Sequence, residues 1–248
     1  MTIGSRIIKL AEVDSTNRFL MDFILKERPE EGTVVVTDYQ TAGKGLDKNT
    51  WESMPGQNLT MSFVIYPGFL PVDNQFSLNK AVSLGVSDFV RNAIDIPGEL
   101  KIKWPNDIYS DHRKLAGILI QNGIVGNFFD FSVVGIGINI NQENFGQYPV
   151  SPVSFKMITG KDYALDRLLD ELLDCLNVRL SQLKAGSVDI LDKDYLSCLY
   201  RYNEIHDFRY QRKIIRAKIT GVNRYGQLIL EIPGGKLLEC DLKTVKFV

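Results

Sequence analysis

The chain has 248 residues with 29 Lys+Arg against 30 Asp+Glu, a net charge of −1 that offers no global attraction for nucleic acid or an anionic membrane. Hydrophobic residues at 44% and charged residues at 24% are ordinary globular values, and they exclude disorder and collagen-like repetition. No apolar run reaches the length of a membrane span, MTIGSRIIKL lacks a secretory signal, and Cys175, Cys198, Cys240, His112 and His206 are too scattered for disulfides or structural zinc. A cytoplasmic protein of one or two domains is predicted, with no nucleic-acid or membrane partner.

Asp14-Ser15-Thr16 reads as a helix start whose hydroxyls accept from unpaired backbone N–H groups. Phe19, Leu20, Phe23 and Ile24 then recur at helical spacing until Pro29. Residues 33–37 (TVVVT) and 59–66 (LTMSFVIY) predict buried strands on either side of a Gly-rich stretch. Apolar residues between 76 and 94 predict a long, mostly buried helix. Short strands fit residues 100–103, 107–109, 115–121 and 128–140. Leu165, Leu168, Leu169, Leu172, Leu173, Leu176 and Leu180 form one apolar helical stripe, which is core packing. From residue 208 short alternating runs are broken by Asn223-Arg224-Tyr225-Gly226 and Pro233-Gly234-Gly235, the pattern of four or five strands in a small β-barrel. The predicted organisation is a mixed α+β domain over residues 1–203 and a compact β-domain over 204–248.

Four segments carry chemistry. Gln40-Thr41-Ala42-Gly43-Lys44-Gly45 sets glycines and a cation after a buried strand, a loop able to offer N–H groups to a phosphate, although a surface turn accounts for the same residues. Neither the Walker A nor the dinucleotide glycine pattern is present. Lys103-Trp104-Pro105-Asn106-Asp107 lies between strands and is unusual for packing alone, though Asn106 and Asp107 also form turns. Lys114 opens the run Leu115-Ala116-Gly117-Ile118-Leu119-Ile120, where a strand-edge cation can be held against an anion. Finally, Gly135 and Gly137 alternate along Val134–Ile140 and predict room for a flat ligand above the strand.

Together with Asp14-Ser15-Thr16-Asn17 and Trp51, these segments resemble the biotin–protein ligases in order and spacing along the whole chain. The resemblance implies an α+β fold with a mixed-sheet catalytic domain and a small SH3-like C-terminal barrel, without the DNA-binding arm of the regulatory members. It implies joining biotin to ATP as biotinyl-5'-AMP, then transfer to a lysine of a biotin carboxyl carrier protein. ATP with Mg²⁺ and biotin are the implied co-substrates, no prosthetic group is tightly bound, and homodimerisation is left open. By the same resemblance, Ser15, Thr16, Asn17, Gln40, Gly43, Lys44, Gly45, Lys114 and Gly117 face biotin. Lys44, Gly45, Leu46, Trp51, Asn106, Lys114 and Asn139 face ATP. Lys114, Lys44 and Asp107 carry the chemistry, with no protein-held metal.

This chain departs from the family in its loop. Lys44 replaces an arginine, Leu46 and Asp47 stand where many bacterial relatives have further arginines, and Lys48 replaces a glycine. The alternatives are a lipoate or octanoyl ligase of the same superfamily, or a non-catalytic biotin-binding regulator. Arg201, Arg209, Arg212, Lys213, Arg216 and Lys218 make residues 201–218 locally basic, either a docking face for an acidic carrier or a solvated surface.

Overall fold

The computed structural model describes residues 2–47 and 49–248. A seven-stranded mixed sheet has the order β1-β2-β3-β7-β6-β5-β4. Its strands are β1 (Arg6–Val13), β2 (Thr33–Gln40), β3 (Leu59–Ile65), β4 (Leu100–Lys103), β5 (Asp107–Ser110), β6 (Arg113–Val125) and β7 (Phe128–Ile138). Among the described strands of this sheet, only β1 and β2 pair in parallel, joined by helix α1 (Thr16–Glu27). Strand β1 is absent from the sequence expectations because Ile7, Ile8 and Leu10 are interleaved with Lys9 and Arg6 without clean alternation.

The central strands have two different faces. On β3, Leu59, Met61, Phe63 and Ile65 belong to the main core, as do Val134, Ile136 and Ile138 of β7. Helices α2 (Phe76–Ala93), α4 (Leu165–Lys184) and α5 (Val188–Cys198) contribute to that core, and α4 presents Leu168, Leu169, Leu172, Leu173, Leu176, Leu180 and Leu183 to it. Truncating a fully buried member such as Leu172 to alanine costs about 2–5 kcal/mol, because the packed surroundings relax only partly. The opposite face carries Val64 and Val133 in a smaller cluster with Leu20 and Ile24 of α1. Thr60, Ser62, Gly135 and Gly137 alternate with the main-core residues and therefore share the α1 face. A short helix α3 (Phe155–Thr159) completes the helices.

The C-terminal unit is an antiparallel sheet ordered β11-β10-β9-β8-β12. It comprises β8 (Ile205–Tyr210), β9 (Lys213–Val222), β10 (Leu228–Glu231), β11 (Leu237–Cys240) and β12 (Val245–Phe247). Phe208, Ala217, Ile219, Leu228, Leu230 and Val245 belong to the same contiguous core as the first sheet. The Trp104 indole N–H donates to the Gly226 carbonyl at 2.8 Å, a further tie between the two sheets.

Candidate functional site

The parallel pairing of β1 with β2 ends at Val13 opposite Gln40, which brings the segments after both strands to one sheet end. Backbone bonds from Thr41 N to Val13 O (3.0 Å) and from Ala42 N to Asp14 O (2.8 Å) stitch them together. The Ser15 and Thr16 hydroxyls do not cap α1, correcting the sequence expectation: Ser15 is the N-cap residue and makes no side-chain cap bond. Thr16, almost fully buried, instead turns its hydroxyl toward Gln40 Oε1 (3.1 Å) and Ser62 Oγ (2.6 Å). The Ser62 hydroxyl donates to Asn17 Oδ1 at 2.5 Å, while the Asn17 amide donates to Gln121 Oε1 (3.0 Å) and the Leu119 carbonyl (3.3 Å).

This web is short of protons. The Thr16 and Ser62 hydroxyls each own one, yet three hydroxyl contacts link Gln40, Thr16, Ser62 and Asn17. Two can be made at once, so acceptor capacity is left for donors arriving from outside. Every group in the web is neutral.

The other end of the cavity is charged. The hairpin from β4 to β5 turns through Trp104, Pro105 and Asn106, and Asn106 donates its side-chain amide to the Ile118 carbonyl while its own carbonyl accepts from Ile118 N. Asp107 pairs with Gly117 across the sheet and accepts an ion pair from Lys114 Nζ at 2.7 Å. Backbone bonds with Ser151 and Val153 hold Lys114. Asn139 lies beyond β7 and donates its side-chain amide to Val153 O (3.1 Å) and Lys114 O (3.4 Å), buttressing the backbone that carries Lys114.

The two ends line one cavity of about 460 Å³. Ser15, Thr16, Asn17, Gln40, Lys44, Gly45, Leu46, Trp51, Asn106, Asp107, Lys114 and Gly117 all border it. Gly43 and Asn139 do not. Gly43 is a point of close backbone approach: its carbonyl accepts from Trp51 N at 3.0 Å, and a Cβ there would collide with the Trp51 carbonyl and the Gln40 amide. Asn139 borders a separate recess of about 90 Å³ with Glu52, Phe145, Tyr148, Val150 and Pro152. Thr50, Trp51 and Lys114 border both spaces, and the Trp51 side chain stands between them. In the recess, burial and a 2.5 Å hydrogen bond to Glu52 push the Tyr148 hydroxyl up to about 12.

Gly135 and Gly137 border the cavity as the sequence suggested, but part of the space above them is filled by the chain's own side chains. A Cβ at Gly135 would overlap the Asn17 amide, and one at Gly137 the Trp51 indole. The glycines let these side chains lie flat on the sheet.

Several bordering residues gave no separate signal in the sequence. Thr60, which borders the cavity, and Ser62, which joins the hydrogen-bond web behind it, are hidden in an apolar strand, where the alternation of small polar with large apolar residues is the readable clue. Lys246 and Phe247 come from β12, far away in the chain. Lys103 Nζ lies 5.2 Å from the Tyr109 ring centre and 5.1 Å from that of Phe247, an aromatic sandwich built by both sheets. Burial holds the Lys103 ammonium below the usual lysine range, with Asp107 acting the opposite way. Lys44, Lys103, Lys114 and Lys246 thus face one carboxylate, Asp107, among the described residues of the cavity.

The loop between Gly43 and Trp51 closes on itself through a bridge of Lys44 with Thr50 and a bond from Gly45 N to Asn49 O at 2.8 Å. Leu46 borders the cavity. Asp47 stands exposed at the loop tip with φ +58°, and Lys48 lies outside the described residues.

Comparison with known proteins agrees with this geometry. Residues 10–139 match the model of the biotin/lipoate A/B protein ligase family. The bifunctional ligase/repressor BirA of Salmonella typhimurium is 33% identical over 240 residues, spanning 93% of this chain and 71% of that protein. The BirA of Bacillus spizizenii is 32% identical over 142 residues, but the match spans only 42% of its length and 57% of this chain. The structure of the biotin protein ligase from Aquifex aeolicus in complex with biotin and ATP superposes with a TM-score of 0.81 at 26% identity, covering 98% of this chain and 99% of that one. The mixed sheet, the C-terminal antiparallel sheet and the matched segments agree: the chain belongs to the biotin/lipoate A/B protein ligase family.

Proposed function

We propose that this protein is a biotin–protein ligase, which activates biotin with ATP and passes it to a lysine of a biotin carboxyl carrier protein. The observation that carries the reading is the proton-poor, neutral web of Thr16, Ser62, Asn17 and Gln40. A ureido ring brings two N–H donors and a carbonyl to such a web, and Ser15 at the cavity wall offers the carbonyl a hydroxyl. A lipoyl or octanoyl group would cover the same atoms with hydrocarbon and leave each unpaired, a penalty of about 1–3 kcal/mol per group.

In the first step a carboxylate oxygen of biotin attacks the α-phosphorus of ATP, and diphosphate leaves. The carboxylate is already ionised at neutral pH, so the obstacle is repulsion between two anions and not proton removal. Lys114 sits between the neutral end and the Asn139 recess, placed to neutralise both anions, with Lys44, Gly45 and Leu46 over the phosphates. The recess behind Trp51 would take adenine. In the second step the carrier amine attacks the acyl carbon and AMP leaves. Asp107, anchored by Lys114, orients that amine.

Mg²⁺ would arrive with the nucleotide and neutralise phosphate charge. Asp107 is the one carboxylate bordering the cavity among the described residues, so it would hold the ion together with the phosphates and water. The unit boundary falls between residues 203 and 204 on this reading. The exposed Arg209, Arg212, Lys213 and Arg216 of the β8–β9 hairpin form the docking surface for an acidic carrier.

The test is incubation with ATP, labelled biotin and a carrier fragment of a biotin-dependent carboxylase. Label should appear on the carrier lysine only when ATP is present. Transfer of lipoate or octanoate in place of biotin would overturn the reading.

A further inference from the structure

Two polar atoms in the cavity wall have no role in the scheme above. Thr60 Oγ1 and Trp51 Nε1 are both buried and both lack a hydrogen-bond partner among the described residues. Thr60 is only 4% exposed and borders the cavity. Two other buried atoms are unpaired, on Ser132 and Tyr195, and neither residue borders it.

Strand register places the orphans at one spot. Thr60 pairs with Gly137, Gly137 with Gly117, and Gly117 with Asp107, a single row across β3, β7, β6 and β5. Directly paired positions lie roughly 4.5–5.5 Å apart at Cβ, and the Trp51 indole occupies the place of a Gly137 Cβ. The Thr60 hydroxyl and the indole N–H therefore flank the same point of the cavity floor. The next row on this face is Ser62 with Gly135, which belongs to the neutral web. Two residues separate the rows, about 6.6 Å along the strands. Lys114 stands at the other end of the Thr60 row through its ion pair with Asp107. An acid whose ring lies at the Ser62 row thus brings its carboxyl end over Thr60 as it reaches toward Lys114.

We propose that Thr60 is a further substrate-binding residue, whose hydroxyl, with the Trp51 indole N–H, donates to the carboxylate of the acid before it is activated. This rests on the ligase reading and deepens it. It also makes Thr60 a specificity element, since an acid too short to reach this row leaves both donors unpaired.

Thr60→Val keeps the shape and removes the hydroxyl. Calorimetric titration of the whole protein with biotin should show about tenfold weaker binding by Thr60→Val, and Thr60→Ser within about twofold of the original. Biotinol, with a neutral hydroxyl in place of the carboxylate, should lose no more than about threefold, because hydrogen bonds to an ionised group are roughly twice as strong. The unliganded melting temperature should not fall, since the hydroxyl has no partner to lose. Should valine pack poorly, Thr60→Ala gives the same comparison. Unchanged biotin affinity in Thr60→Val, or an equal loss toward biotin and biotinol, would overturn the assignment. Failure of the original protein to bind biotin at all would overturn the ligase reading itself, and this inference with it.

Discussion

The two ends of the cavity are built on opposite electrostatic plans. At the α1 end, neutral groups from α1, β2 and β3 bond to one another and share too few protons. Toward the β5–β6 end, Lys44, Lys103, Lys114 and Lys246 border the cavity with one carboxylate, Asp107, among the described residues, and Lys114 pairs with it. The first plan recognises a neutral ring by direction, because each hydrogen bond fixes an angle. The second tolerates anions in several positions, because Coulomb attraction falls slowly with distance. On the ligase reading proposed above, placing them along one sheet face would let the same floor select an acid at one end and activate it at the other.

Lys114→Ala strikes the charged end hardest. Removing the cation between two anions should slow adenylate formation roughly 10²-fold or more, with little change in unfolding midpoint. Near-normal rates in a biotin-dependent diphosphate-release assay would remove Lys114 from the mechanism.

The neutral end breaks differently. Thr16→Val leaves Gln40 Oε1 with one donor fewer and breaks the link to Ser62, so it should cost about 1–3 kcal/mol of stability and weaken biotin binding. KM for ATP should stay put, which steady-state kinetics with each substrate varied in turn would check.

The C-terminal sheet belongs to both the core and the charged end. Sequence reading predicts that truncation after about residue 205 hurts carrier transfer more than biotin binding, and that loss of both together would mark the C-terminal sheet as a structural prop, with Ile214 and Leu228 completing the main core. The structure favours the second outcome: Leu228 and Val245 lie in the common core and Phe247 walls the cavity, whereas Ile214 is exposed and adds nothing to it. Truncation should therefore lower the melting temperature and abolish binding and transfer together.

Leu46→Arg tests the loop. An arginine reaching the phosphate would add about 1.5–3 kcal/mol through a charge-assisted bond, so biotinyl-5'-AMP should leave more slowly. Stopped-flow tryptophan fluorescence reads that release. Unchanged release would place Leu46 beyond reach of the phosphate.

The smallest effect concerns Lys103. Burial lowers its folded-state value, so between that value and the ordinary lysine range the unfolded chain binds more protons than the folded one. Stability relative to Lys103→Met should rise with pH across that window and be flat below it. Urea unfolding of both proteins at pH about 8 and about 10 would show it, and parallel pH curves would contradict it.

Much of this was legible in residue order. The long helices α2 and α4 follow from apolar periodicity, and the site loops from their unusual composition. Helix α5 escaped because only Leu191 and Tyr195 are buried along it, too thin a stripe to read. The glycines of β7 were legible as a need for space, but not what fills it, since Asn17 and Trp51 arrive from distant segments. Lys103 stood within a recognised motif, yet its aromatic sandwich needs Phe247, which only the docking of the second sheet supplies.

Biotin-dependent exchange of labelled diphosphate into ATP tests the central claim most directly, because it isolates the meeting of the two cavity ends from carrier docking. The account predicts exchange that requires biotin, is not supported by lipoate or octanoate, and collapses in Lys114→Ala. Exchange supported by octanoate or lipoate, or none with biotin in a folded protein, would contradict it.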